Sequence, residues 1–193
     1  MIRIACIVLA LIVPVGVRPS VAQPVEGKQY KVLATSKTST MQKEMSEAAS
    51  AGFRFAVSMG GETAFGGSEV VMLMERGNDA RARYEYRLLA TSKTGTMQKE
   101  LQLAADSGYD YVGQTVFNST FGGREVVVIL ERDRDAASRP RYEYKLLSTS
   151  KTSTLDRELR EAAELGYEVV GMTVGETAMG GSELVTITRR KAK

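Results

Sequence analysis

The residues best suited to chemistry recur in one phrase, Thr-Ser-Lys-Thr, which the chain contains at 35–38, 91–94 and 149–152. Hydroxyls, a lysine and the free backbone N–H groups of a following helix would together suit a phosphate, sulfate or carboxylate. The alternative is a helix cap beside a solvated lysine, and the commonness of such turns favours it. The candidate anion-binding residues are Ser36, Lys37, Thr38, Ser92, Lys93, Thr94, Ser150, Lys151 and Thr152.

A second recurring segment is a glycine-rich loop at 60–69, 117–125 and 175–183. Its Gly-Gly pair suits a hairpin connection. Just before each pair stands one large apolar residue: Phe65, Phe121 or Met179. Displayed at loop tips, these residues would bind a protein partner. Tucked into the core they need no function, and ordinary packing favours that alternative.

The residue types that most enzymes and zinc sites need are scarce. The chain has no His, and its one cysteine is Cys6. Nucleophile–base triads and zinc sites of the usual kinds are therefore excluded. Ser36 and Lys37 are adjacent, so on a strand they would point to opposite faces, which argues against a Ser–Lys dyad. The sequence predicts a protein that is not an enzyme and holds no cofactor or metal.

Charged residues recur near the closing strand of each copy. Ion pairs between neighbouring copies are the expected role. The alternative for the three carboxylates is a cation held on a pseudo-threefold axis. The recurring residues are Glu69, Glu125 and Glu183, and Arg76, Arg132 and Arg190.

The phrase belongs to a longer repeat that organises the chain. Aligning Tyr30, Tyr86 and Tyr144 gives three segments of 47 residues without a gap, and sixteen positions are identical in all three. Polar linkers separate them, which predicts repeats at 28–76, 83–132 and 140–190. A unit of about 50 residues is marginal alone. We therefore expect the copies to bury apolar surface against one another.

Each repeat has the pattern of a strand, a helix and two further strands. The segment 141–148 alternates apolar and polar residues, as a half-buried strand does. The next segment places Leu155, Leu159, Ala162 and Ala163 at helical spacing. Each helix is expected to end at a glycine that precedes an aromatic residue. The pattern predicts an α+β fold of three tandem βαββ repeats, with helices packed on mixed β-sheet.

Two finer expectations concern the helix starts and the last strands. A capping box is expected at each helix start. The closing strands of copies one and two are apolar on both faces, whereas copy three carries Thr186 and Thr188 on one face. We expect that face of copy three to lie nearer water. The candidate N-caps are Ser39, Gly95 and Ser153, with Gln42, Gln98 and Asp156 as their partners.

The first residues are typical of a secretory signal peptide. Arg3 precedes an unbroken apolar run at 4–13, and small residues at 20–22 suit cleavage after Ala22. The alternative is a buried N-terminal strand or helix. Removing 1–22 would leave 24 basic residues (26 − 2) against 23 acidic ones. A net charge of +1 gives no general reason to bind nucleic acid or an anionic membrane. No membrane span is expected after signal removal.

The repeat resembles a small bacterial family of unknown function. The residues that carry the resemblance are "YEYKLL", the helix with "LxxEL", and "GYEVVGM" before a closing strand that ends in Arg. Phe53, Tyr109 and Tyr167 stand where that family has Trp, and Lys28 stands where copy one would have its first Tyr. The resemblance implies a small α+β unit and offers no reaction or ligand.

These observations predict an exported bacterial protein, periplasmic or secreted. Its expected role is a non-enzymatic binding or structural module in the cell envelope, with an unidentified protein or envelope component as partner. The alternative is a small-anion-binding protein that uses the three Thr-Ser-Lys-Thr turns.

Overall fold

The computed structural model of the chain describes residues 27–63, 67–78, 81–91, 93–119, 123–138, 140–176 and 181–192. The segment predicted to be a signal peptide, Ser92, and the three loop-tip residues Phe65, Phe121 and Met179 lie outside these ranges.

The described residues form three units, each with a strand, a helix and two strands, which confirms the α+β class and the threefold βαββ repeat. Repeat 1 contains β1 (Gln29–Thr35), α1 (Thr38–Ser50), β2 (Arg54–Thr63) and β3 (Gly67–Arg76). Repeat 2 contains β4 (Tyr84–Thr91), α2 (Thr94–Asp106), β5 (Asp110–Ser119) and β6 (Gly123–Asp133). Repeat 3 contains β7 (Tyr142–Thr149), α3 (Thr152–Glu164), β8 (Glu168–Glu176) and β9 (Ser182–Lys191). Within the described part of the chain, no helix is long and apolar enough to cross a membrane.

Each repeat forms its own three-stranded sheet, in the orders β1-β3-β2, β4-β6-β5 and β7-β9-β8. Every pairing in these sheets is antiparallel, so the expectation of mixed sheet is wrong in this respect. The helical crossover does make the first two strands of each repeat parallel to each other, as a βαβ connection requires. The third strand then inserts between them and runs antiparallel to both.

The three repeats stack in layers: α1 and α2 each lie between their own sheet and the next sheet, and α3 packs on the third sheet. The core around α1 contains Met41, Met45 and Met72 of repeat 1, together with Tyr86 and Ile129 of repeat 2. The core around α2 likewise includes Tyr144 and Ile187 of repeat 3. The copies therefore bury apolar surface against one another, as expected for repeats too small to be stable alone.

The helix ends confirm one expectation and correct another. Gly52, Gly108 and Gly166 have φ of 82–85°, the left-handed conformation expected after a helix. The helices begin one residue before the predicted Ser or Gly caps, so the N-cap residues are Lys37, Lys93 and Lys151, none with a side-chain cap hydrogen bond. The capping box at Ser39, Gly95 and Ser153 is therefore wrong.

The expectation for the closing strands is also wrong, because it places the open face in the wrong repeat. Thr186 and Thr188 are buried, at 0% and 1% exposure. Each sheet has its own helix on one face and the preceding repeat on the other. Among the described residues no repeat precedes the first sheet, so the open face belongs to repeat 1.

Candidate functional site

A glutamine side chain joins α1 to the edge strand of the next sheet. The Gln42 amide donates to the Tyr86 carbonyl at 2.7 Å, and its oxygen accepts from the Leu88 N–H at 2.7 Å. These backbone groups lie on the free edge of β4, where an unpaired edge would invite another strand. Gln42, which the sequence predicts in a capping box, therefore covers the free edge of β4 in the next repeat.

The same contact recurs between repeats 2 and 3. Gln98 donates to the Tyr144 carbonyl at 2.8 Å and accepts from the Leu146 N–H at 2.7 Å. Gln102, one helical turn later, accepts from the Tyr144 N–H at 3.1 Å and donates to the Tyr142 carbonyl at 3.3 Å. The edges of β4 and β7 are therefore both covered by the helix of the preceding repeat.

A buried tyrosine hydroxyl lies at each interface between consecutive repeats, which we call a seam. Tyr86 donates to Glu131 at 2.7 Å and accepts from the Phe55 N–H of repeat 1 at 2.7 Å. Tyr144 donates to Asp110 at 2.6 Å and accepts from the Tyr111 N–H of repeat 2 at 2.8 Å. Burial, chiefly, raises the pKa of both phenols above its ordinary value.

An ion pair crosses each of the two seams, with the positive and negative residues exchanged between them. Arg54 of repeat 1 pairs with Glu131 of repeat 2 at 2.8 Å. At the second seam the signs are exchanged, because Asp110 of repeat 2 pairs with Arg189 of repeat 3. Repeat 1 placed directly on repeat 3 would bring Arg54 against Arg189. The charges therefore specify the order of the repeats.

Away from the helices, adjacent sheets touch directly through β2, β5 and β8, and glycines permit the contact. A Cβ at Gly113 would lie 2.9 Å from Cζ of Phe55. A Cβ at Gly171 would lie 2.6 Å from Oε1 of Gln114 and would also overlap the Tyr111 hydroxyl. The equivalent residue in repeat 1 is Val57, which is 56% exposed.

The recurring arginines act within their own repeats, so the expectation that they pair with neighbouring copies is wrong. Arg132 donates to Glu85 at 2.8 Å and to the Ser107 carbonyl at the end of α2 at 3.1 Å. It also lies 4.6 Å above the Tyr109 ring. This pairing with Arg132 lowers the pKa of Glu85. Arg76 and Arg190 make the equivalent contacts with Phe53 and Tyr167.

The Thr-Ser-Lys-Thr turns lie between the first strand and the helix of each repeat. The first threonine of each phrase accepts a hydrogen bond from the lysine N–H, at 3.0–3.2 Å. Lys37, Lys93 and Lys151 are exposed. The turns therefore have a local structural role, and anion binding at them stays a prediction. Ser36 and Ser150 are exposed beside them, and Thr38, Thr94 and Thr152 begin the helices.

Open clefts lie along the seams and outer surface, and their charges are mixed. The largest of those described, about 470 Å³, includes Thr94 and Lys145 but also Glu158 and Glu161. Another, about 440 Å³, includes Arg189 and Arg190, both of which already pair with carboxylates. No group of three His, Cys, Asp or Glu side chains suited to a metal ion is found among the described residues. The copies stack in a row, so Glu69, Glu125 and Glu183 do not meet on a threefold axis.

The outer face of the first sheet is the largest difference between the repeats. Strand register places seven apolar side chains on this face, between Glu69 and Glu75 at its two margins. We call these seven the outer face: Tyr30, Val32, Ala34, Val57, Met59, Val71 and Leu73. Tyr30, Val32, Val57 and Met59 are 56–65% exposed. The equivalent faces of the other two sheets are covered by α1 and α2.

The opposite end of the stack has a polar helix, and beside that helix β8 exposes Val169, Met172 and Val174, at 39–62%. Asp156 and Arg160 of α3 stand at the positions of Gln98 and Gln102, and they pair with each other at 2.6 Å. Ala163 is exposed, although its equivalents Ala49 and Ala105 are buried. The last helix thus has the polar surface expected of a terminal repeat.

The sequence prediction of binding residues did not include the outer face. Alternation showed that β1 and β3 each have an apolar face, but it does not show what covers that face. The differences between the copies were the available signal, since Val57 replaces a glycine and Asp156 replaces a glutamine.

Comparison with protein-family models, curated proteins and solved structures finds no match.

Proposed function

We propose that this protein is a non-enzymatic binding or structural module of the cell envelope, and that the outer face is its interaction surface. The observation that carries the proposal is the exposure of Tyr30, Val32, Val57 and Met59 together on one sheet face. A contiguous exposed apolar surface of this kind marks an interaction site more often than a scattered apolar residue does.

The internal seams support the same interpretation. Tyr86 and Leu88 in repeat 2, and Tyr144 and Leu146 in repeat 3, occupy the positions of Tyr30 and Val32, and all four pack against the preceding repeat. The same face of the sheet is therefore buried by the preceding repeat in repeats 2 and 3, and is exposed in repeat 1. An envelope protein with such a face gains stability when a partner covers it.

Site-specific photo-crosslinking in intact cells tests the proposal. A photoreactive amino acid at Met59 is expected to give a reproducible adduct of higher mass, and Val32→Asp in the same chain is expected to abolish it. Met172 is the matched control position, because it is 62% exposed against 60% for Met59 and lies in repeat 3. Equal labelling from both positions, or none from Met59, would refute the outer face as an interaction surface.

A further inference from the structure

The outer face is apolar, and one of its differences from the internal faces changes its shape. Where repeats 2 and 3 have Gly113 and Gly171, repeat 1 has Val57. The glycines leave room for Phe55 and Tyr111 of the preceding repeat. Val57 fills that space, so the outer face is not shaped to receive another repeat in the way the internal faces are.

Charge and hydrogen-bonding groups also disfavour head-to-tail stacking of two molecules. In such a stack, α3 would lie on β1 of the next molecule, and Asp156 would replace the glutamine that covers a strand edge. A carboxylate accepts hydrogen bonds but cannot donate to the Tyr30 carbonyl. The seam ion pair would become Glu168 against Glu75, which repel. The α3 end of one molecule therefore does not fit the outer face of another.

A molecule whose two ends do not fit each other associates most simply through like ends, and the outer face, with four side chains 56–65% exposed, is the more apolar of the two. We infer that the outer face binds the outer face of a second copy of this chain, so that two molecules pair around a two-fold axis. This rests on the proposed function, which makes the outer face an interaction surface. A two-fold interface is self-complementary and closed, so it yields a dimer and not a filament.

The chemistry of the face fits a like partner. The register puts valines, a leucine and a methionine across all three strands, with Glu75 at the margin already paired with Lys28 at 3.0 Å. Two apolar sheet faces pack at about 10 Å with interdigitating side chains. The chain predicted after signal removal has a net charge of +1, so two copies repel little.

The size of the face sets the expected strength. Three strands of about seven residues cover roughly 14 Å by 23 Å. This is smaller than the area that stable interfaces bury, about 800 Å² per partner. We therefore expect a dimer that dissociates on dilution. The apolar segment 4–13 is a different occupant, and the experiment distinguishes it from a second copy.

The experiment is sedimentation equilibrium of the purified protein over a wide concentration range, with its N-terminus established by mass spectrometry. The expected mass rises from one chain to two. Met59→Asp is expected to weaken dimerisation at least about a hundredfold, because each symmetric dimer would bury two unpaired carboxylates. Met172→Asp, the matched control, is expected to leave it unchanged. Circular dichroism checks that both variants fold.

Each remaining outcome overturns the second copy as partner. A dimer that Met59→Asp does not weaken uses another surface. A monomer at all concentrations refutes the pairing, whether the outer face is open or covered by residues 4–13; hydrogen exchange at Val32 and Val57 tells these two cases apart. A monomer that still crosslinks from Met59 to another protein in cells would refute the dimer and leave the proposed function intact.

Discussion

Gly171→Ala is the sharpest test of the stacked arrangement, because it adds one methyl group at a point where two sheets touch. The new Cβ would lie 2.6 Å from Oε1 of Gln114 and 2.8 Å from Cζ of Tyr111. These distances are shorter than side chains accept, so β5 and β8 must separate or Tyr111 must leave its position. Tyr111 packs against the core around α2, so a displaced ring would lose those contacts.

The expected loss is about 2–3 kcal/mol in the free energy of unfolding, at the upper end of what overpacking costs. For a chain of this size that corresponds to roughly 4–12 °C in Tm. The loosened seam should also make repeat 3 unfold separately, because neighbouring repeats depend on their interface for cooperativity. Urea unfolding followed by circular dichroism measures both effects, through the midpoint and the slope.

Gly61→Ala is the matched control. It is also a strand glycine, but a Cβ there meets nothing within 4 Å. Its unfolding free energy is expected to change by no more than about 0.5 kcal/mol. If Gly171→Ala unfolds at the same urea concentration as Gly61→Ala, the sheets of repeats 2 and 3 do not touch at β5 and β8, and the stacking described above is wrong.

Three further predictions concern the seams. Gln98→Ala should lower the unfolding free energy by about 2 kcal/mol, because two hydrogen bonds are lost. Asp156→Ala, at the equivalent position of repeat 3, should leave the unfolding free energy nearly unchanged. Chemical denaturation of the two variants makes the comparison. Gln114→Leu should raise the unfolding free energy by about 1 kcal/mol, because both polar atoms of that amide are buried without a partner, and a lower Tm would contradict this. Burial raises the pKa of Tyr111 to about 12, and Tyr86 shifts in the same direction. The unfolded phenols ionise near pH 10, so this stabilisation is complete below pH 10 and is lost as the pH rises toward 12. The phenolate absorbance of Tyr86 and Tyr111 should therefore appear together with unfolding, and ionisation of these two residues near pH 10 in the folded protein would refute the prediction.

The sequence is sufficient to predict the helices, the strands and the repeat, because these depend on local patterns. Alternation located β7, helical spacing located α3, and the glycine at 166 located the end of that helix. The prediction failed where a side chain acts on another repeat. Gln42 has the spacing of a capping box, but the edge of β4 offers it two backbone partners that lie far away in sequence.

The open face was missed for a related reason. The closing strand of repeat 3 contains Thr186 and Thr188, which suggested solvent, yet α3 covers them and Thr188 donates to the Lys145 carbonyl at 2.8 Å. The strands of repeat 1 are more apolar and yet have one open face. Hydrophobicity alone therefore does not identify which repeat lies at the end of a stack, because that depends on which neighbour is missing.

Differences between the copies do carry that information when they are compared position by position. Gly113 and Gly171 are small because a ring from the preceding repeat lies against them, and Val57 is large because none does. Gln98 becomes Asp156 where no following strand edge needs an amide. The departures from identity thus identify both ends of the stack: Asp156 at the α3 end and Val57 at the β1 end. A chain adapted only to remain monomeric would be expected to carry charge on the outer face. That face instead exposes Tyr30, Val32, Val57 and Met59, and it is therefore the surface on which an interaction is expected.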